Sequence, residues 1–244
     1  MDGVKGRKGF TLIELLIAIA VIGILMSLLI PAVNKVMESA RRTKGANSLK
    51  QIATAYNQYC NDDVNGRNIS GATSGLDWAL VLARTGYLND PNMYTFSGDS
   101  GATKVMKKVI VDPDSKDNKA WGESGPEEFS VYLISDIPAG APLSTTPIAF
   151  TRGIPDNTND KSGSSSTVAK WPSSGVYGDK GGHIAFLDGH VEWFDDLGPD
   201  DDGGKLMKWG GSGATNDILK AIPGKAVVLS ANGSVAESGT GDPD

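Results

Sequence analysis

The chain of 244 residues is poor in the residue types that most often carry catalysis or bind metals. It has one cysteine, Cys60, and two histidines, His183 and His190. A single cysteine excludes an internal disulfide, and we expect its thiol to pack as a small buried apolar group. The stretch Gly203-Gly204-Lys205-Leu206 lacks the opening glycine and the final Ser or Thr of a phosphate loop. These absences predict that the protein is not an enzyme.

Positive charge is also scarce, since 23 Lys and Arg stand against 29 Asp and Glu and the net charge is −6. An acidic chain lacks the broad electrostatic attraction that nucleic acid requires, so we expect no nucleic-acid partner. The charge is unevenly placed. Residues 35–50 are net basic, whereas aspartates are concentrated in the last third of the chain, which holds ten of the 22.

One long apolar run dominates the start of the chain. It begins at Phe10, lasts 24 residues to Val33 and carries Glu14 as its only charge. At ~1.5 Å per residue, a helix of that length reaches about 36 Å, which is enough to cross a bilayer core. A carboxylate inside such a segment is costly and therefore suggests a function. A basic leader, residues 1–9, ends in Gly9 directly before the run.

Other kinds of apolar segment fit this run less well. A secretory signal peptide has a shorter apolar region without a charge and ends in a small-residue cleavage site, whereas Pro31-Ala32-Val33-Asn34 is a poor one. An ordinary membrane anchor accounts for the length but for neither Gly9-Phe10 nor Glu14. For Glu14 alone, a carboxylate that reaches the headgroups at the membrane edge remains an alternative.

The start of the chain resembles the processing site of type IV pilins and of the pseudopilins of type II secretion. Their pattern is a basic leader, a glycine, an aromatic first mature residue, Glu at the fifth mature position and a hydrophobic helix. The resemblance implies that a prepilin peptidase cuts between Gly9 and Phe10 and that Phe10 is N-methylated. It also implies a single-pass protein of the inner membrane, with its N-terminus cytoplasmic and its C-terminal domain periplasmic. Homologous subunits and inner-membrane machinery are the implied partners, in a periplasmic or cell-surface filament.

Glu14 has a physical role in such an assembly. Cleavage after Gly9 places an α-amine at Phe10, beside an apolar environment where an unpaired ion is costly. A carboxylate of an adjacent subunit can neutralise that amine, and a low dielectric strengthens the attraction. Because Glu14 lies four residues further along, a neighbour shifted by about one helical turn brings the two groups together. A repeated shift of this kind builds an open helical filament.

Periodicity extends the helix beyond the apolar run to about Asn61. Four apolar residues recur at spacings of three and four: Leu49, Ile52, Tyr56 and Tyr59. We therefore predict an α+β fold in which a long N-terminal spine helix packs on a C-terminal antiparallel β-sheet. The helix is transmembrane over 10–33 and amphipathic over 34–61, and a globular domain covers 62–229.

Shorter elements follow from local patterns. Residues 75–84 predict a short helix, and residues 105–111, 129–134 and 147–151 predict strands. Residues 112–128 and 156–166 are expected to form loops. The Gly-, Ser- and Asp-rich tail, residues 230–244, is predicted to be disordered.

A β-hairpin is predicted over residues 181–194, with Asp188-Gly189 as a two-residue turn. That turn sets Leu187 opposite His190. It places four side chains on one core face: Ile184, Phe186, Val191 and Trp193. The two histidines then share the other face about 13 Å apart, too far to bind one zinc ion.

The hairpin also resembles the C-terminal signature of a broad family of prepilin-like proteins, in which a histidine precedes Asp-Gly. The spacing in that family corresponds to Gly178, whereas His183 precedes Asp188 by five positions. No biochemical role for the hairpin follows from this resemblance.

An acidic cluster leaves one cofactor question open. It comprises Asp195, Asp196, Asp200, Asp201 and Asp202. Some pseudopilins bind calcium in a C-terminal loop, so the resemblance raises calcium as a candidate, although the spacing fits no EF-hand and a solvated loop is the alternative. No other metal or cofactor is expected.

The pattern as a whole favours a pseudopilin of a type II secretion system. A surface type IV pilin for adhesion or motility is an alternative within the class. A solitary membrane-anchored periplasmic binding protein is an alternative outside it, disfavoured because a simple anchor gains nothing from Glu14.

Overall fold

The computed structural model describes residues 10–62, 68–96, 98–99, 129–155, 168–199, 203–211 and 213–237. Within these ranges it contains three α-helices, two short 3-10 helices and ten β-strands. The chain divides into two compact units, residues 1–43 and residues 44–244.

Helix α1 runs from Leu12 to Asp62 and continues through both Pro31 and Gly45. In the first unit its large apolar side chains are exposed; Leu12, Ile13 and Leu28 are 83%, 65% and 73% exposed. By length and composition, α1 is the one helix in the described ranges that could cross a membrane. The predicted N-terminal apolar helix is thus confirmed.

In the second unit α1 buries one side. The buried residues are Gly45, Ser48, Leu49, Ile52, Ala53, Ala55 and Tyr56. Three of the four predicted stripe positions are therefore buried, and Tyr59 packs half-buried against the same core. Small residues among the buried set allow neighbouring elements to approach the helix closely.

Helix α2, Gly75–Arg84, begins at an N-cap serine and has the predicted bounds. The hydroxyl of Ser74 accepts a hydrogen bond from the Asp77 amide at 3.1 Å. On the buried side, the Trp78 ring stacks on Tyr56 with centroids 5.7 Å apart. The Trp78 indole N–H donates to the carbonyl oxygen of Ile134 at 3.2 Å, which ties α2 to the sheet.

The main sheet has six strands in the order β10-β9-β1-β2-β4-β5, and every adjacent pair is antiparallel. Its strands are β1 Val131–Ser135, β2 Pro147–Thr151, β4 Gly182–Phe186, β5 Val191–Phe194, β9 Val227–Ser230 and β10 Gly233–Glu237. Two small sheets pair β3 Val168–Lys170 with β6 Asp196–Pro199, and β7 Leu206–Met207 with β8 Ala214–Thr215. Helix α3 spans Ile218–Ala221, and the 3-10 helices span Pro91–Met93 and Gly178–Lys180. The predicted α+β class is confirmed.

Among the shorter predictions, β2 has the expected bounds and β1 is shifted by one to two residues. The prediction of a disordered tail from residue 230 is wrong for residues 230–237, because β10 pairs with β9 and lies at an edge of the main sheet. The predicted strand at 105–111 and the loops at 112–128 and 156–166 lie outside the described residues.

The hairpin forms, but its predicted register is wrong by one residue. Ile184 pairs with Glu192 and His183 with Trp193. The Gly189 amide donates to the Phe186 carbonyl at 2.9 Å, and Gly189 has a φ of 89°. The connection is thus a three-residue loop with glycine in the left-handed region rather than a two-residue turn. Because side chains alternate between faces, the one-residue difference moves Val191 and Trp193 away from the face of Ile184.

Candidate functional site at the start of helix α1

The first turn of α1 is held by a reciprocal pair of side chains. The Thr11 amide and the Thr11 hydroxyl both donate to Oε2 of Glu14, at 2.9 Å and 2.7 Å. In return, the Glu14 amide donates to the Thr11 hydroxyl oxygen at 3.3 Å. This Thr-x-x-Glu arrangement is a capping box, in which each side chain satisfies an amide that the helix leaves without an intrahelical acceptor.

The capping box uses only one oxygen of the Glu14 carboxylate. Both donors go to Oε2, and within the described ranges Oε1 accepts no hydrogen bond. The carboxylate also lies in the first turn, where the partial positive charge of the helix terminus favours an anion. Glu14 can therefore stabilise the start of its own helix while its second oxygen accepts a further donor.

The structure places the predicted processing residues as follows. Phe10 precedes α1 in non-helical chain and its side chain is 80% exposed. Gly9 lies outside the described residues. Thr11 was missed in the sequence, although the signal was present: a Thr followed three residues later by Glu, before an apolar run, is a capping-box signature.

The hairpin histidines do not form a joint site. His183 is buried, and its ring makes edge contacts with Trp193 and Tyr177, with centroids at 4.7 Å and 5.5 Å. His190 is exposed on the other face and stacks on Phe186 with centroids 4.3 Å apart. The prediction that both histidines share one face is wrong, for the same register reason. Within the described ranges no group of three His, Cys, Asp or Glu could hold a metal ion.

Two aspartates near the hairpin have protein partners. Burial acts to raise the pKa of Asp188, but hydrogen bonds from the His190 amide and ring outweigh it and hold the pKa below the ordinary value. The Lys205 ammonium, 2.6 Å from Asp196, is the main cause that lowers the pKa of that carboxyl. Asp200, Asp201 and Asp202 lie outside the described residues, so calcium binding stays a prediction.

The remaining candidates in the sequence have structural explanations. Cys60 is half-buried, and burial raises the pKa of its thiol despite a hydrogen bond with Tyr56, which favours an unreactive thiol. Lys205 of the incomplete phosphate loop pairs with Asp196. A Cβ on Gly204 would collide with the backbone of Thr215, so the glycine there permits close packing of two chain segments.

Comparison with known proteins agrees with this geometry. Residues 4–30 match the family model of the prokaryotic N-terminal methylation motif. A stretch of 132 residues, 53% of the chain, is 32% identical to type II secretion system core protein G of Pseudomonas aeruginosa and covers 84% of that protein. No solved structure matches the chain significantly. The chain therefore belongs to the prepilin-like pseudopilin family, whose members are structural proteins and not enzymes.

Proposed function

We propose that the chain is a structural subunit of a type II secretion filament, processed between Gly9 and Phe10 by a prepilin peptidase. The match of residues 4–30 to the methylation motif supports the cut and the N-methylation of Phe10. The exposed, non-helical position of Phe10 supports access for the enzymes. Similarity to a core protein of type II secretion favours a secretion pseudopilin over a surface pilin.

The proposed location is the inner membrane, with the leader in the cytoplasm and the globular unit in the periplasm. Support comes from the exposed apolar side chains of α1 between Leu12 and Met37, whose burial is favourable in an apolar solvent or against other apolar helices. The mature subunits then leave the membrane and assemble through α1, with inner-membrane machinery as partner.

The observation that carries the proposal is the carboxylate of Glu14 in this apolar segment, engaged through Oε2 alone. Once Gly9 is removed, the α-amine of Phe10 needs a counter-ion in a medium of low dielectric. Oε1 of a neighbour's Glu14 can accept a hydrogen bond from that amine while Oε2 keeps capping its own helix. An axial shift of about one turn between neighbours satisfies every amine except that of the terminal subunit.

Processing is tested by the intact mass and N-terminal sequence of protein from the native cell. We expect loss of residues 1–9 and a methylated Phe10, and a bulky substitution such as Gly9→Leu should leave the precursor uncut. Retention of Met1, or a cut near Ala32, would overturn the proposal.

Assembly is tested with variants that separate charge from capping. Glu14→Gln removes the charge but preserves the capping box, since Gln also serves at that position. Thr11→Ala weakens the cap by about 1 kcal/mol but leaves the charge. We expect both variants to insert and be processed, with filament incorporation falling far more in Glu14→Gln. Incorporation of Glu14→Gln at the wild-type level would contradict the amine–carboxylate pairing.

A further inference from the structure

Directly after its apolar segment, α1 carries a concentration of positive charge that the proposed assembly does not use. The basic segment, residues 35–44, contains Lys35, Arg41, Arg42 and Lys44 and one acid, Glu38. The net charge of the segment is thus +3. Because the whole chain has a net charge of −6, the rest of the chain has a net charge of −9. A local reversal of the chain's overall sign indicates an anionic contact surface.

The basic side chains are accessible to such a surface. Lys35, Arg41 and Lys44 are exposed, and Arg42 is half-exposed. Arg42 pairs with Glu38 one turn earlier, with Nη2 and Oε1 2.7 Å apart. That pair is partly exposed, and the segment keeps its net charge of +3 when Glu38 is counted.

The basic segment begins where the apolar surface of α1 ends. Val36 and Met37 are 68% and 51% exposed, so the first basic residue, Lys35, lies inside the last exposed apolar turn. The segment rises by about 14 Å along the helix. Side chains on a helix tilt toward its N-terminus, so these cations lean back toward the apolar segment, and their long stems can rest on apolar surface while the charges reach polar groups.

The angular arrangement favours a layer around the helix over a single docking face. At about 100° per residue, Lys44 lies on the opposite side of α1 from Lys35, and Arg41 lies between them. A protein partner contacts one side of a helix, whereas lipid headgroups surround it. The occupant that fits all four cations is therefore an anionic lipid surface.

We propose that the basic segment binds the anionic headgroups of the leaflet at the C-terminal end of the membrane span. This rests on the membrane insertion proposed above. Each Lys or Arg close to an anionic surface strengthens attraction by about fivefold at physiological salt. The contact sets the depth of α1 in the bilayer and retains the subunit there until neighbouring subunits replace the lipid.

The proposal is tested with the full chain reconstituted in phosphatidylcholine vesicles that contain trace spin-labelled phosphatidylglycerol or phosphatidylcholine. Electron spin resonance measures the fraction of each lipid that the protein immobilises. We expect phosphatidylglycerol to be preferred at low salt, and the preference to vanish at about 1 M salt, where the screening length is about 3 Å.

Two charge-matched triple variants locate the preference. Lys35→Gln with Arg41→Gln and Arg42→Gln should reduce the preference for phosphatidylglycerol by about fivefold or more. Lys208→Gln with Lys220→Gln and Lys225→Gln removes the same charge from the globular unit and should leave it unchanged. The leader is present in both variants and contributes equally.

Three results would overturn the proposal. Immobilised lipid without a headgroup preference contradicts this inference alone, whereas the absence of any immobilised lipid also contradicts the proposed membrane insertion. If the first triple variant lowers cross-linking between subunits but leaves the lipid preference intact, the basic segment binds an acidic face of a second copy instead.

Discussion

The two parts of α1 share one backbone conformation but relate oppositely to their surroundings. Over residues 12–43 the apolar side chains lie on every side of the helix and are exposed, whereas over residues 44–62 a single side is buried. A helix that is apolar all round requires an apolar solvent, and a helix with one apolar stripe requires a packing partner. The apolar content of a helix therefore does not show whether it packs in a protein core, whereas the distribution of apolar side chains around the helix axis does.

The largest expected difference between the two parts is in the response to losing a leucine side chain. Leu49 is fully buried, so Leu49→Ala should lower the free energy of unfolding of the globular unit by about 2–5 kcal/mol. Leu29 is 60% exposed, and Leu29→Ala should leave that free energy unchanged. Denaturant titration in mild detergent, followed by tryptophan fluorescence, measures both. If the two variants lowered the free energy of unfolding equally, the contrast between the buried and the exposed part of α1 would be wrong.

Glycine-to-alanine substitutions in the two parts of α1 should change stability in opposite directions. A Cβ at Gly23 meets nothing within 4 Å, so Gly23→Ala should gain up to about 1 kcal/mol of helix stability. A Cβ at Gly45 would collide with the Tyr177 hydroxyl and press tightly against the Phe96 ring. Overpacking of about 1–3 kcal/mol there should exceed the propensity gain. Circular dichroism during thermal unfolding reports both, and a stabilising Gly45→Ala would contradict the packing described for α1.

A smaller expected effect is acid sensitivity confined to the globular unit. The pKa values of Asp188 and Asp196 lie below their ordinary value of 3.8 in the folded chain. Their contribution to stability is therefore present above that ordinary value and is lost as pH falls through the folded pKa. Lys205→Met removes the main partner of Asp196 and should flatten the decline of stability below about pH 4.

Lys225→Met is the matched control for that experiment, because it removes the same charge from an exposed position. Its pH profile should follow that of the unaltered chain. If both lysine variants decline in parallel with the unaltered chain, the Lys205–Asp196 pair is not a source of the acid sensitivity.

Calcium is the smallest expected effect and acts on the globular unit alone. If the acidic cluster at residues 195–202 binds the ion, millimolar calcium should raise the unfolding temperature and magnesium should do much less. Replacing Asp200, Asp201 and Asp202 together with asparagine should abolish the shift. An unchanged melting curve, with no ion bound by mass spectrometry, would leave the cluster as a solvated loop.

Sequence periodicity predicted the helices well because their determinants are local. Trp78 and Leu82, four residues apart, with Gly86 after them predicted α2, and three of the four stripe positions of α1 are buried. The hairpin was harder. Asp188-Gly189 is compatible with both a two-residue and a three-residue loop. The register of the hairpin also depends on the pairing of β4 with β2 and on the burial of both faces of β4, and the dipeptide Asp188-Gly189 contains no information about either.

The two other failures also have physical reasons. Composition predicted disorder from residue 230, but the backbone of β10 gains its hydrogen bonds from β9, and β9 is placed by β1. At the candidate site, the apolar run predicted a functional charge at Glu14 but not its hydrogen bonds with Thr11, because the cost of a carboxylate in a membrane segment and its capping role are separate signals carried by one residue.

The strand order has a consequence for how the chain is made. Strand β1 lies between β2 and β9, and Ser135 pairs with Val227, 92 residues later. Closing so long a loop is slow, and chains rich in such contacts fold late. The central strand stays half-paired until almost all of the polypeptide has been synthesised. A chain that ends before Val227 therefore leaves one edge of β1 unpaired, and such an open edge is prone to aggregation.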